Sequence, residues 1–435
     1  MPRACTTAEK RMSSSTESLK AELCQVIDDR RDEFLALLQD FLRIRSVNPP
    51  GDMREAADFV RGILDRFALP HRTISCRDDM PNILARWDAD RPGRHLVLNG
   101  HMDVFPVTDD ALWAAEIVGD RIVARGASDM KTGTLASVLT YCLLHPYRDR
   151  LNGALTLTVV SDEQSGGRYG TKFLFDEHAD AITGDCCLNG EPSGLSNVRF
   201  MEKGTLRFSL SAKGPGGHGG YPHRANNPIE QVTNAVHAIY QRYHRQLASL
   251  PPEIDAILTS PETIAAADAN LGKGAADNAR RITVNAGIIE GGQKATQIPM
   301  HCSVHLDMRF PIGPDRDRIR GELETLASEF GCTLLVNEDH SYPASSTDPF
   351  GEMATILRNN MKGLLGHDAP PVCSLGGTDT RYWRWRGIPA LICGPSPISM
   401  GTDEEHVTLD EAIAVLKLHV MCAIDYLGRP TSPAV

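Results

Sequence analysis

Apolar positions along the chain repeat with two different periods, and their alternation predicts the architecture. Between residues 17 and 45, Leu23, Val26, Ile27, Phe34, Leu37, Leu38, Phe41 and Leu42 fall on one helical face. Asn48-Pro-Pro-Gly51 ends that stretch with a turn, and a second helix follows with Ala57, Val60, Ile63, Leu64 and Phe67 inward. Short strands are expected at residues 72–76, 83–87 and 95–98. Strand and helix then alternate: a strand at 121–124, a helix at 131–144, a strand at 155–160, a helix at 169–177 and a strand at 185–189. That order implies an α/β domain with a mostly parallel sheet and helices on both faces. Residues 1–16 are polar and read as a disordered tail.

After Lys203-Gly204 the texture changes. Residues 205–213 alternate as a half-buried strand, Gly214-Pro-Gly-Gly-His-Gly-Gly220 is a flexible loop, and 228–243 is helical. Residues 246–280 are rich in Ala, Pro and Asp, poor in aromatics, and read as an irregular insertion. Strands at 282–289 and 301–309, a helix at 315–330 and a strand at 333–337 complete a β-α-β-β-α-β order, which is ferredoxin-like. The first pattern resumes near residue 341, with a helix at 351–362, a strand at 389–393 and a final helix at 409–427. An α+β domain over residues 205–340 is therefore expected inside an α/β domain made of 1–204 and 341–435. A chain of 435 residues is too long for one comfortable core, which agrees with two domains.

Composition narrows the partners. The chain is 41% hydrophobic and 23% charged, ordinary for a globular protein. Its net charge of −11 argues against a nucleic-acid partner held through phosphates. The 11 cysteines are scattered, and only Cys186-Cys187 are close, so reduced thiols and a cytoplasmic location are expected. The polar start lacks the apolar core of a secretory signal, and no apolar run of about 18 residues predicts a membrane span.

The stretch Leu96-Val-Leu-Asn-Gly-His101-Met-Asp103 carries the first chemistry. A nearly apolar strand stops at Gly100 and delivers His101 and Asp103 just past its end, where open α/β sheets bind ligands. Two residues apart in an extended segment, both project to one side, so Asp103 can orient the His101 ring while the other ring nitrogen binds a metal. Matching strand ends or loops carry Asp129, Glu163 with Gln164, Glu191, and His406. Imidazole and carboxylate sets suit zinc, and carboxylate-rich versions also suit manganese or cobalt. Each motif alone has an ordinary explanation as a cap, a turn or a surface histidine.

The ordered set resembles the metallopeptidase family that contains aminoacylases, acetylornithine deacetylase, succinyl-diaminopimelate desuccinylase and the glutamate-releasing carboxypeptidases. The resemblance runs from Ser46-Val-Asn-Pro-Pro-Gly to Glu411. It is carried by Gly100-His-Met-Asp103, Arg125-Gly-Ala-Ser-Asp-Met-Lys131, Ser161-Asp-Glu163, Gly190-Glu-Pro192, Lys213-Gly-Pro-Gly-Gly-His218, Gly291-Gly292, Asp307-Met-Arg309 and Gly376-Gly-Thr-Asp379. It implies that His101 and Glu191 bind one metal, Asp129 bridges two, and His406 binds the second. Glu163 is then the general base and Asp103 the residue that orients His101. The inserted domain is implied to be a dimerisation lid whose His218 reaches the neighbouring subunit's site. Arg309 matches a position that holds a substrate carboxylate, a task suited to a guanidinium fork, and Arg381 is a weaker candidate for it.

Two departures bear on the substrate. Gln164 stands where the family has a carboxylate ligand of the second metal, so that metal is expected to be weak or absent. Thr296 stands where the family has Asn. The expected function is a homodimeric hydrolase with one or two divalent transition metals, cleaving a carbon–nitrogen amide bond of a small carboxylate-bearing molecule. A rival keeps the fold and makes the electrophile an aromatic amine, such as a nitroanthranilate, with release of ammonia. A catalytically dead binding protein is a further rival, opposed by the presence of Glu163 and three ligands of one metal.

Overall fold

The computed structural model describes residues 7–429. Strand His95–His101 lies near the middle of a nine-stranded sheet, hydrogen-bonded in parallel to Ala154–Val160 on one side and Cys186–Asn189 on the other. Cys186–Asn189 is in turn parallel to Ala390–Ile392. The flanks are antiparallel, through His71–Ile74 and Asn82–Asp88 at one edge and Val198–Glu202 with Ser345–Ser346 at the other. Pro371–Ser374 adds a parallel partner to Val198–Glu202. Leu96 and Leu98 point into one hydrophobic cluster and Val97 into another, so successive residues feed the layers above and below the sheet. That two-sided burial explains why Ala154–Val160 is apolar or Thr throughout and wholly buried. Helices Lys131–Leu144 and Leu409–Leu427 cover one face, and Thr171–Ile182 with Thr380–Arg384 cover the other.

The inserted domain has a four-stranded antiparallel sheet ordered Thr283–Gly291, His301–Phe310, Gly204–Lys213 and Thr333–Val336. Helices Pro228–Tyr243 and Arg316–Glu329 cover one face of it, with Leu206, Phe208, Val304 and Leu306 packed beneath. This is the ferredoxin-like order read from the sequence.

Several expectations change. Residues 1–6 of the expected tail lie outside the described residues, and from Thr7 the chain is helical to Asp29. Leu19, Leu23 and Ile27 on that helix are buried, which anchors a segment that polar composition alone made look disordered. The single periodic stretch over 17–45 is two helices, Thr7–Asp29 and Arg31–Arg43, bent at Arg30. Residues 246–280 are not irregular. They form helices Pro252–Leu258, Pro261–Leu271 and Ala275–Ala279. Ser260 caps the second of these by accepting from the Thr263 amide, with Pro261 at its first position. Strand Arg121–Val123 belongs to a separate three-stranded sheet with Glu116–Val118 and His406–Thr408.

Candidate active site

His101 ends its strand and is 1% exposed. Its Nδ1 lies 2.9 Å from the Asp103 carbonyl and 3.3 Å from the Asp103 carboxylate, which leaves Nε2 directed at Asp129 Oδ1, 3.1 Å away. Asp103 is held in turn: Asn48 Nδ2 and the Gln164 amide each donate to it at 2.9 Å, and the Glu163 amide at 3.1 Å. Burial alone would raise the Asp103 carboxyl, but His101, Asn48 and the Gln164 amide outweigh it and keep the group below its ordinary value. The ring that Asp103 was expected to orient therefore has an ionised, fully anchored partner.

Asp129 sits in the turn before helix Lys131–Leu144. Glu405 organises that turn: one carboxylate oxygen accepts from the amides of Gly126 and Ser128 at 3.0 Å and of Asp129 at 3.1 Å, while the other pairs with Arg125. Glu191 follows strand Cys186–Asn189, and its amide donates to Asn189 Oδ1 at 2.7 Å. The Glu191 loop meets the Asp129 helix backbone to backbone. A Cβ on Gly133 would stand 1.8 Å from the Gly190 carbonyl oxygen, so only glycine permits this approach.

These strand ends bring His101, Glu163 and Glu191 together, one ligand atom from each lying within 4.8 Å of the others. Glu191 Oε1 is 3.4 Å and Glu163 Oε2 3.9 Å from His101 Nε2. Burial and the neighbouring Asp129 push Glu191 up to about 7, and burial with Glu191 beside it raises Glu163 well above the carboxylate range. Burial pulls the His101 imidazole down, yet the surrounding Glu191, Asp103 and Asp129 raise it well above its usual value. Carboxylates crowded around one imidazole, each made uncomfortable by the others, are the donor chemistry of a divalent metal site. The residues present therefore fit a metal ion.

The remaining expected residues are placed less uniformly. Gln164 is in the site, its Nε2 donating to Asp129 Oδ2 at 2.9 Å. His406 begins its short strand, with Nδ1 2.7 Å from the Glu404 carbonyl, and stands outside the group of three. Arg309 and Arg381 line the cavity of about 400 Å³ whose floor holds Asp129, Glu163 and Glu191. Arg309 donates to Asp307 at 3.0 Å and to the Leu375 carbonyl at 3.3 Å. Arg381 is buried between the rings of Tyr342 and Tyr382, with Nη1 3.5 Å from Glu163. His218 is exposed in the inserted domain and lines a different hollow, beside Glu290, Met300 and His301.

Sequence reading missed the roles of Glu405, which directly precedes the expected ligand His406, and of Asn48. Asn48 was read as a turn residue, yet its side chain joins Asp103 to Asp162 at 2.9 Å each. It missed Arg199 as well, a cavity-lining arginine that donates only to the backbone carbonyls of Ser193 and Cys373.

Comparison with known proteins adds an independent line. Residues 200–331 match a family profile described as a peptidase dimerisation domain. The chain is similar to succinyl-diaminopimelate desuccinylase 2 of Ruegeria sp. (strain TM1040), 24% identical over 406 residues, covering 90% of this chain and 94% of the relative. A succinyl-diaminopimelate desuccinylase of Cereibacter sphaeroides is 28% identical over 372 residues, 80% of this chain and 87% of the relative. Among solved structures, a metallo-carboxypeptidase from Sulfolobus solfataricus superposes with a TM-score of 0.78 at 17% identity, covering 91% of this chain and 99% of that one. Human carnosine dipeptidase 1 gives 0.73 at 15% identity, covering 94% and 99%.

Proposed function

We propose that this chain, which belongs to the metallopeptidase and deacylase family of those relatives, hydrolyses the amide of a small carboxylate-bearing molecule such as an N-acyl amino acid. Membership makes it a metal-dependent hydrolase of carbon–nitrogen amide bonds. The observation that carries the finer reading is one cavity lined both by Asp129, Glu163 and Glu191, the carboxylates gathered around His101, and by Arg309 and Arg381.

His101, Asp129 and Glu191 would hold one metal ion, with His406 and Gln164 flanking a second position. A divalent metal there would acidify water and polarise the scissile carbonyl. Glu163, with Oε2 3.9 Å from His101 Nε2 and lining the cavity, takes the proton of the attacking water and returns it to the departing nitrogen. Asp103 fixes the His101 tautomer. Arg309, with Arg381 behind it, receives the substrate carboxylate. The partner subunit's His218 donates to the oxygen that becomes negative as the carbonyl is attacked. Residues 1–204 with 341–435 act as the catalytic unit and 205–340 as a lid that pairs two chains.

The Gln164 amide donating to Asp129 supports one tight metal, because a neutral donor now occupies a carboxylate oxygen that a second ion would need. Elemental analysis should find about one tightly held transition metal per chain, rising towards two in Gln164→Glu, since a carboxylate supplies both a donor and a compensating charge. The metal-loaded protein should release amino acid from N-acyl amino acids. Release of ammonia from aromatic amines without amide hydrolysis would overturn the amide reading, and two tight metals in the unaltered protein would overturn the part given to Gln164.

A further inference from the structure

The cavity has two unlike walls. On one, Arg309 donates to the Leu375 carbonyl at the edge of the Gly376-Gly377 turn, and Arg381 lies over Tyr342 at 4.6 Å. On the other, Pro192, Leu271, Pro397, Met400 and Phe105 present apolar side chains, and Arg199, whose guanidinium donates to the Ser193 carbonyl at 2.8 Å, also lines the cavity. These belong together in space. The Gly194 amide donates to the Pro395 carbonyl at 3.0 Å, which ties the Glu191-Pro192 loop to the 395–400 loop, and a Cβ on Gly401 would touch Phe105 at 3.8 Å. Phe105 and Met400 remain 39% and 42% exposed, so this wall has apolar surface left to cover.

Leu271 is the unexpected member, because it belongs to the lid's helical insertion and not to the catalytic domain. It ends helix Pro261–Leu271, whose preceding residue Asn270 is buried against the Glu191 loop. Asn270 exchanges hydrogen bonds with Ser196 Oγ at 2.9 and 3.1 Å and donates to its own helix at the Ala266 carbonyl. Thr263 adds a bond to the Pro371 carbonyl at 3.0 Å, and Ala267 and Ala276 pack on Val372. The insertion is thus bolted to the catalytic domain at two places, and the bolt aims Leu271 into the cavity beside Pro192.

We propose that Leu271, with Pro192, Met400 and Phe105, forms an apolar subsite that takes a hydrocarbon arm of the substrate. Resting on the amide-hydrolase reading, this makes the preferred substrate an amide with a carboxylate on one side and a non-polar acyl chain on the other. Leu271 is a specificity-determining residue supplied by the lid of the same subunit.

The test compares kcat and KM for N-acetyl, N-butanoyl, N-hexanoyl and N-succinyl derivatives of one amino acid with the metal-loaded protein. Efficiency should rise about fourfold per added methylene, the value expected for burying each one. Leu271→Ala should weaken the hexanoyl substrate through KM while leaving the acetyl substrate within about twofold, since an acetyl group does not reach the wall. Leu271→Arg should move preference towards N-succinyl, which a merely folding-related loss would not do. Equal efficiencies for acetyl and hexanoyl, or equal losses for acetyl and hexanoyl in both variants, overturn the subsite and leave amide hydrolysis standing. If no N-acyl amino acid is hydrolysed, that reading falls, and calorimetric binding decides the subsite alone. Tighter binding of N-hexanoylglycine than of N-acetylglycine, lost in Leu271→Ala, upholds it, and no difference overturns it.

Discussion

Beneath the cavity both nitrogens of the His101 ring have partners and Asp103 behind it takes three hydrogen bonds; in the inserted domain, the His218 ring leans on Tyr221 at 5.4 Å and accepts only from the nearby Gly220 amide at 3.1 Å. Both are histidines at the end of short extended segments followed by flexible turns. One is sealed into a network assembled from four or more chain segments, where an unpartnered group would be costly. The other is exposed on a glycine-rich hairpin paired only with Gln297–Ile298. The first is complete within one chain. The second has the accessibility required of a residue that acts in the partner subunit's site.

The largest effect should come from the sealed region. Glu163→Gln keeps shape and removes the proton acceptor, so activity should fall about 10²–10⁴-fold while metal content stays at the unaltered level. Activity within a few fold of the unaltered protein would mean that the network is built for something other than proton transfer at Glu163.

The exposed region answers to mixing. His218→Ala and Glu163→Gln should each be nearly inactive alone, but their defects fall in different sites of a mixed dimer, leaving one site with both native residues. Re-equilibrating equal amounts should recover about a quarter of the unaltered activity, since about half the dimers are mixed and each has one good site. If labelled subunits exchange and no activity returns, His218 serves its own chain or does not serve catalysis, and the contrast between the regions collapses.

The smallest effect concerns pH. Burial and Asp129 raise Glu191 to about 7, so between roughly the ordinary carboxylate range and neutrality the folded metal-free protein keeps a proton that the unfolded chain has lost. Its stability therefore falls as pH rises through that window. A bound cation needs the ionised form and offsets the loss, so the rise in Tm on adding zinc or manganese should be larger at pH 7.5 than at pH 5.5, by about a few degrees. Glu191→Gln should abolish the difference. A metal-induced shift independent of pH in the unaltered protein would show that Glu191 carries no strained charge.

Local spacing is readable wherever one element meets one core. Helices Lys131–Leu144, Pro228–Tyr243 and Leu409–Leu427 match their periodicity to the residue, and the His101, Asp129, Glu163 and Glu191 positions are visible because each follows a strand or opens a helix. What the spacing leaves out is contact between segments far apart in the chain. Nothing near Glu405 announces that it caps a turn at Gly126–Asp129, some 276 residues away, nor near Asn48 that it bridges Asp103 and Asp162. The helices of residues 246–280 carried start signals at Pro252 and Ser260-Pro261, but an Ala-rich segment shows no amphipathic stripe, and its packing against strand Pro371–Ser374 gives it shape.

The amino-acid sequence by itself determined the order of elements, the inserted ferredoxin-like unit and the types of ligand at the strand ends, because hydrophobic period and turn chemistry act over a few residues. Tertiary structure alone decided which of those ligands meet, that Arg381 lies over Tyr342 beside Glu163, and that Leu271 of the inserted domain lines the same cavity as Asp129, Glu163 and Glu191. Hydrogen bonds and ion pairs in a buried site depend on separations of about 3 Å between side chains brought together by chain closure, a distance no one-dimensional pattern encodes.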